Sequence, residues 1–301
     1  MKIAIAGGSG FIGKAITKQL VEENNEVVIL TRDTSNKSNS ENITYVQWLN
    51  DYDEPEKFLK KIDVFINLAG ESLNSGRWTS DRKKSLIQSR ITATREINRI
   101  LTKLEQPPLL LLNASAIGYY GTSLNKLFTE HSICQPSDFL SNIVHQWEKE
   151  ALKATSLPIR TVLMRFGVVL DAKEGALPRM IFPYKCFIGG TIGKGDQWLS
   201  WIHIKDVVKA VLFCINTPTI HGPVNFTSPN PENMKVFGKK IANTLHRPHW
   251  LPVPSLALKL GLGEMSLLVL EGQKVIPELL LQNHFHYEFP NLEDALHDIL
   301  Q

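Results

Sequence analysis

The chain is poor in cysteine, carries little net charge and has no long uninterrupted apolar run, and each shortage removes a class of protein. Cys134, Cys186 and Cys214 are far apart and lack a Cys-x-x-Cys partner, so reduced thiols are expected rather than a disulfide framework. No apolar run reaches the roughly 18 residues that would cross a bilayer. No positively charged leader precedes an apolar stretch at Met1, so a cytoplasmic protein with no membrane partner is expected. A formal net charge of +3, with no Lys/Arg cluster interleaved with aromatics, gives no footprint for nucleic acid. The pairs His246/His249 and His284/His286 have no neighbouring cysteine or carboxylate set, so no metal site is expected.

What is present is concentrated at the start. Ile3, Ala4, Ile5 and Ala6 read as a short buried strand that runs directly into Gly7, Gly10 and Gly13. Glycine at the first position permits a tight turn, at the second lets backbone approach a pyrophosphate, and at the third lets the following helix pack close to the sheet. That helix, expected over 11–23, would offer its free N–H groups at Phe11, Ile12 and Gly13 to phosphate. A second apolar strand, Glu26 to Arg32, ends about 20 residues after the glycines, where a ribose-reading residue belongs. Thr31-Arg32 stands there instead of a terminal carboxylate. A guanidinium can pair with a 2′-phosphate, which favours NADP(H), with NAD(H) as the alternative; Arg32 could instead pair with Asp33, and Asp33 could itself contact the ribose.

Further along, alternating apolar patterns predict strands at 43–48, 63–70 and 109–115, a short helix at 53–61 and a long one at 79–104 with Thr79 or Ser80 as its cap. A helix over 139–154 and a strand over 160–170 follow. This βα alternation predicts an α/β fold, a Rossmann-type doubly wound parallel sheet. After Asp171 glycine and proline interrupt the rhythm. Residues 1–171, with strand segments returning near 201–228, are therefore expected to form the nucleotide-binding domain, and residues 172–301 a smaller C-terminal substrate lobe. Helices are expected at 205–215, 234–245, 255–260 and 292–300, with an apolar segment from Met265 to Leu281.

The glycine turn, the strand ending Asn67-Leu68-Ala69-Gly70, and the segment Ser115 to Gly121 together resemble the extended short-chain dehydrogenase/reductase superfamily. Leu68 to Thr79, Ser115 to Gly121 and Leu268 to Pro277 are more narrowly similar to its atypical "epimerase family proteins", whose small C-terminal domain of unassigned role would cover about 248–298. The resemblance implies an NADP(H)-binding oxidoreductase or epimerase-like enzyme, with hydride moving to or from a small carbonyl or sugar-like substrate. It implies a cofactor site at Gly7, Gly10, Phe11, Ile12, Gly13, Thr31, Arg32, Leu68, Ala69, Gly70, Glu71 and Ser115. Ser115, Tyr119 and Tyr120 are its catalytic candidates.

In the superfamily a Tyr acts as acid/base beside a Lys four residues later, which lowers its pKa. Here the six tyrosines are followed at that spacing by Leu49, Glu56, Ser123, Leu124, Ile188 and Asn291. A second reading follows from that departure, a non-catalytic NADP(H)-binding protein that serves a protein partner; a homodimer is the other assembly in view. Arg165, a charge inside an apolar strand, is expected to pair internally. His203 and Asp206 are expected to pack or hinge the lobes, while Arg179, Gln197, Trp198 and Arg77 to Thr79 could line the cleft.

Overall fold

The computed structural model describes all residues from Met1 to Gln301. Seven parallel strands form the central sheet: β1 (Lys2–Ala6), β2 (Glu26–Thr31), β3 (Ile43–Gln47), β4 (Val64–Asn67), β5 (Leu110–Ala116), β6 (Arg160–Phe166) and β7 (Gly222–Phe226), in the spatial order β7-β6-β5-β4-β1-β2-β3. The order reverses at β1, whose register pairs Ile3 with Val27 on one side and Val64 on the other. Such a reversal opens a crevice at the carboxyl ends of the strands, where dinucleotides bind in this fold.

Strand alternation decides the layers. Ile3, Ile5, Val27 and Ile29 face a core shared with helices α1 (Phe11–Glu22) and α5 (Ile204–Asn216), whereas Ala4, Ala6, Val28 and Leu30 face α2 (Ser80–Lys103). Helix α3 (Phe139–Ala151) lies beside α2, tied to it by Asn98 Nδ2, which donates to Glu150 O at 2.8 Å. A second core, from Leu170, Trp201, Phe237 and Leu296, gathers α4 (Leu177–Lys185), α6 (Met234–Leu245) and the last helix, Leu292–Leu300. No helix is long and apolar enough to cross a membrane.

Several boundaries differ from the sequence expectation, each for a local reason. The helix expected at 53–61 is a single 3-10 turn, Pro55–Phe58, that ends at Leu59, and Lys61 beyond it takes a left-handed conformation at φ 53°. The strand expected over 160–170 breaks at Gly167, where a Cβ would lie 2.4 Å from Ser200 O; beyond it Val168–Leu170 leaves the main sheet to pair with Trp201–His203. Helix α3 ends at Ala151 and continues as a 3-10 turn over Leu152–Ser156. The apolar segment 265–281 is several short pieces, among them Lys274–Val275, which pairs with Leu127–Phe128.

Candidate functional site

Gly7 adopts φ 81°, and a Cβ there would lie 2.8 Å from Leu68 C; a Cβ on Gly13 would lie 2.2 Å from Gly7 O. The turn is thus closed against both the end of β4 and the start of α1, with Gly10 N donating to Gly7 O at 3.0 Å. Gly10 caps α1 in extended backbone without a side-chain hydrogen bond. The next backbone bond in the helix is Lys14 N to Gly10 O at 2.9 Å, so the N–H groups of Phe11, Ile12 and Gly13 have no acceptor in the protein.

Those N–H groups open beside a cleft of about 730 Å³ whose three walls come from five chain segments that the fold brings together. Gly7, Ser9 and Gly10 form one wall; Leu30, Thr31, Arg32, Asp33, Trp48 and Leu49 form the second; Leu68 to Glu71 with Ser85, Gln88, Ser89 and Thr92 of α2 form the third. Thr31 Oγ1 donates to Asp33 O at 3.0 Å. The Asp33 carboxylate accepts Ser35 N at 2.8 Å, and hydrogen bonding to Ser35 holds its pKa below the usual value. Arg32 is anchored only by its carbonyl, which accepts from Asn50 Nδ2 at 3.0 Å; its exposed guanidinium pairs with no carboxylate.

The end of β4 is held from inside. Asn67, fully buried, donates to Asn113 Oδ1 at 2.6 Å and Thr94 Oγ1 at 3.1 Å, and accepts Ala69 N at 3.1 Å. Glu71 accepts Ser85 Oγ at 2.9 Å and pairs with Arg82, so its carboxylate is tied to α2. The polar residues of α2 that face the cleft went unnoticed in the sequence, although Ser85, Gln88, Ser89 and Thr92 repeat at helical spacing.

The candidates at the end of β5 lie in a buried network. Ser115 is 2% exposed, and its hydroxyl donates to Glu148 of α3. Glu148 also receives Arg165 through Nε at 2.8 Å and Nη2 at 2.9 Å. Arg165 Nη1 donates at 3.0 Å to the hydroxyl of Tyr120, which in turn donates to Asn225 Oδ1 at 2.7 Å. Burial pushes the Tyr120 phenol up to about 12. Tyr119 is only partly buried, its ring between the Arg165 guanidinium, 3.5 Å from its centroid, and the stacked His145 ring at 4.1 Å. Glu148 was missed in the sequence; a lone carboxylate on the apolar face of Ile143, Val144 and Trp147 was the available signal.

The remaining candidates are engaged elsewhere. Gln197 Nε2 donates to Val269 O at 2.7 Å, Trp198 Nε1 to Leu124 O at 2.8 Å and Arg179 Nη1 to Asn74 O at 3.1 Å, each to a different backbone carbonyl. Arg77 Nη2 donates to Gly261 O at 2.9 Å, Trp78 is buried and Thr79 caps α2. His203 caps α5 and Asp206 accepts the N–H groups of Glu288 and Phe289, which ties α5 to the chain leading into the last helix.

This architecture has close relatives. Epimerase family protein YfhF of Bacillus subtilis is 48% identical over 300 residues, covering 100% of this chain and 98% of that protein. The crystal structure of human epimerase family protein SDR39U1 (isoform 2) with NADPH is 31% identical and superposes with a TM-score of 0.88 over 99% of both chains. UDP-glucuronic acid 4-epimerase from Bacillus cereus, in complex with UDP-glucuronic acid and NAD, shares the fold at a TM-score of 0.78, 15% identity and coverage of 99% of this chain and 98% of that one. Residues 253–299 match a domain of unknown function (DUF1731). With residues 3–225 matching the NAD dependent epimerase/dehydratase family, the chain belongs to that family.

Proposed function

We propose that the protein is an NADP(H)-dependent oxidoreductase or epimerase-like enzyme acting on a small carbonyl or sugar-like substrate. The observation that carries the cofactor half is Arg32: an unpaired guanidinium at the end of β2, beside a glycine turn with three acceptor-free N–H groups. A 2′-phosphate would receive the guanidinium, and the α1 N-terminus would receive the diphosphate. The human relative bound to NADPH supports the same reading.

When bound, the nicotinamide supplies a hydride donor or acceptor, and the chain supplies orientation and charge. Its own chemistry is restrained at this end of the sheet. Ser115 and Tyr120 hold their hydroxyls in the Glu148–Arg165 network, leaving the partly buried Tyr119 as the phenol at the strand end with no hydrogen bond to the fold. The same network favours a second reading, in which the bound nucleotide orders the protein for a partner without turnover.

Calorimetric titration with NADPH and NADH, on the native protein and on Arg32→Ala, tests the cofactor. NADPH is expected to bind at least about tenfold tighter, a difference of roughly 1.4 kcal/mol that Arg32→Ala erases. Equal binding of both nucleotides would remove the preference, and binding of neither would remove the reading. Oxidation of NADPH across a carbonyl panel, followed at the nicotinamide absorbance, separates the enzyme from the non-catalytic binder.

A further inference from the structure

Helix α2 turns a buried stripe of Leu86, Ala93, Thr94 and Ile97 inward. Arg90 falls on that stripe by its spacing, where an apolar or small side chain is expected. Its guanidinium carbon lies 5.2 Å from the centroid of the Trp147 ring, and its Nη1 donates to Leu86 O at 3.0 Å. No carboxylate pairs with it. Glu71 is held by Arg82 and Ser85, and Glu148 by Arg165 and Ser115. Burial accordingly draws the Arg90 pKa down to about 10. The guanidinium is only partly buried, feels the Glu71 charge without pairing to it, and has N–H donors left to offer an anion.

That charge lies against Gly70, one of the residues that line the cleft, and so borders it. A Cβ on Gly70 would lie 3.5 Å from Arg90 Cζ and 3.6 Å from Nε, so the missing side chain lets the guanidinium lie against the end of β4. The same strand end touches the dinucleotide turn, where a Cβ on Gly7 would lie 2.8 Å from Leu68 C and 3.0 Å from Ala69 N. We propose that Arg90 is an anion-binding residue of the cleft, receiving a phosphoryl oxyanion alongside the α1 N-terminus. The diphosphate of the bound dinucleotide is one source of that group, a deepening that rests on the NADP(H) reading; a phosphorylated substrate is the other.

Three ligands titrated into the full-length protein test it: NADPH, inorganic pyrophosphate, and adenosine 2′-monophosphate, which lacks the diphosphate. Arg90→Met, which keeps much of the packing on Trp147, is expected to weaken NADPH and pyrophosphate about tenfold each and leave the monophosphate unchanged. Arg90→Lys recovers part of the loss, and Arg90→Gln is read against the same ligands should the methionine variant fold poorly. A loss for pyrophosphate alone supports the proposal and assigns the anion to a phosphorylated substrate. Unchanged affinities, or a parallel loss for all three ligands, would make Arg90 a packing residue and overturn it. If the native protein binds no NADPH, the dinucleotide reading fails separately, and the pyrophosphate arm still decides Arg90.

Discussion

Arg165 of β6 and Glu148 of α3 form a two-pronged ion pair inside the molecule, with Nε–Oε1 at 2.8 Å and Nη2–Oε2 at 2.9 Å and side chains only 4% and 7% exposed. The pair joins the central sheet to α3. Removing one partner strands the other charge away from water. Glu148→Gln, which keeps the shape, is expected to cost about 3–5 kcal/mol in urea unfolding at unchanged m-value. A loss below about 1 kcal/mol would mean that solvent already reaches the pair.

Tyr120 and Tyr119 should respond differently to loss of the hydroxyl. Tyr120 accepts from Arg165 and donates to Asn225, and its phenol stays protonated throughout the neutral range with a pKa near 12. Tyr120→Phe is therefore expected to cost about 1–3 kcal/mol of stability by leaving buried groups unpaired, with little effect on any nicotinamide turnover per folded molecule. Tyr119→Phe should do the reverse, since no hydrogen bond of the fold depends on its hydroxyl. Equal activity losses in the two variants would contradict this assignment.

His203 makes stability depend on acid. It is 1% exposed, its Nδ1 accepts Lys205 N at 3.1 Å, and burial lowers its pKa from 6.5 to about 4, with Asp298 opposing the shift. Its neutral form is thus favoured in the folded state. The contribution is fully present above pH 6.5 and is lost as pH falls toward 4. It amounts to about 3 kcal/mol, and His203→Gln should flatten that part of a stability profile measured by urea titration at successive pH values.

Gly13 and Gly8 differ in what a methyl group would meet. At Gly13 the Cβ would lie 2.2 Å from a backbone oxygen and 2.7 Å from the Cα of Gly8, whereas at Gly8 it would lie 3.1 Å from the Ile29 side chain. Gly13→Ala should cost about 1–3 kcal/mol or more and abolish nucleotide binding, while Gly8→Ala should cost less. Thermal unfolding with and without NADPH checks both, because only a nucleotide-binding variant shows the ligand-dependent rise in Tm.

Much of the fold was legible because it rests on local rules. Helices α1, α2 and α6 begin and end within about a residue of expectation, since caps such as Thr79 and Asn233 and the apolar repeat act within a few turns. The strand over 160–170 was not fully legible. Its apolar run is continuous in sequence, and only the close approach of Ser200 to Gly167 divides it between two sheets. The turn at 55–58 shows the converse, where an apparent helix pattern was too short to continue past its proline start.

By itself the sequence determined that strands and helices alternate and that backbone, rather than side chains, fills the turn at Gly7, because periodicity and the demand for a bare Cα are properties of neighbouring residues. Only the tertiary structure decided that Arg165 would meet Glu148 and Tyr120 while Arg32 would meet no carboxylate. Charges choose partners by distance and by how far each is removed from water. Those quantities exist only once β2, β5, β6 and α3 stand side by side.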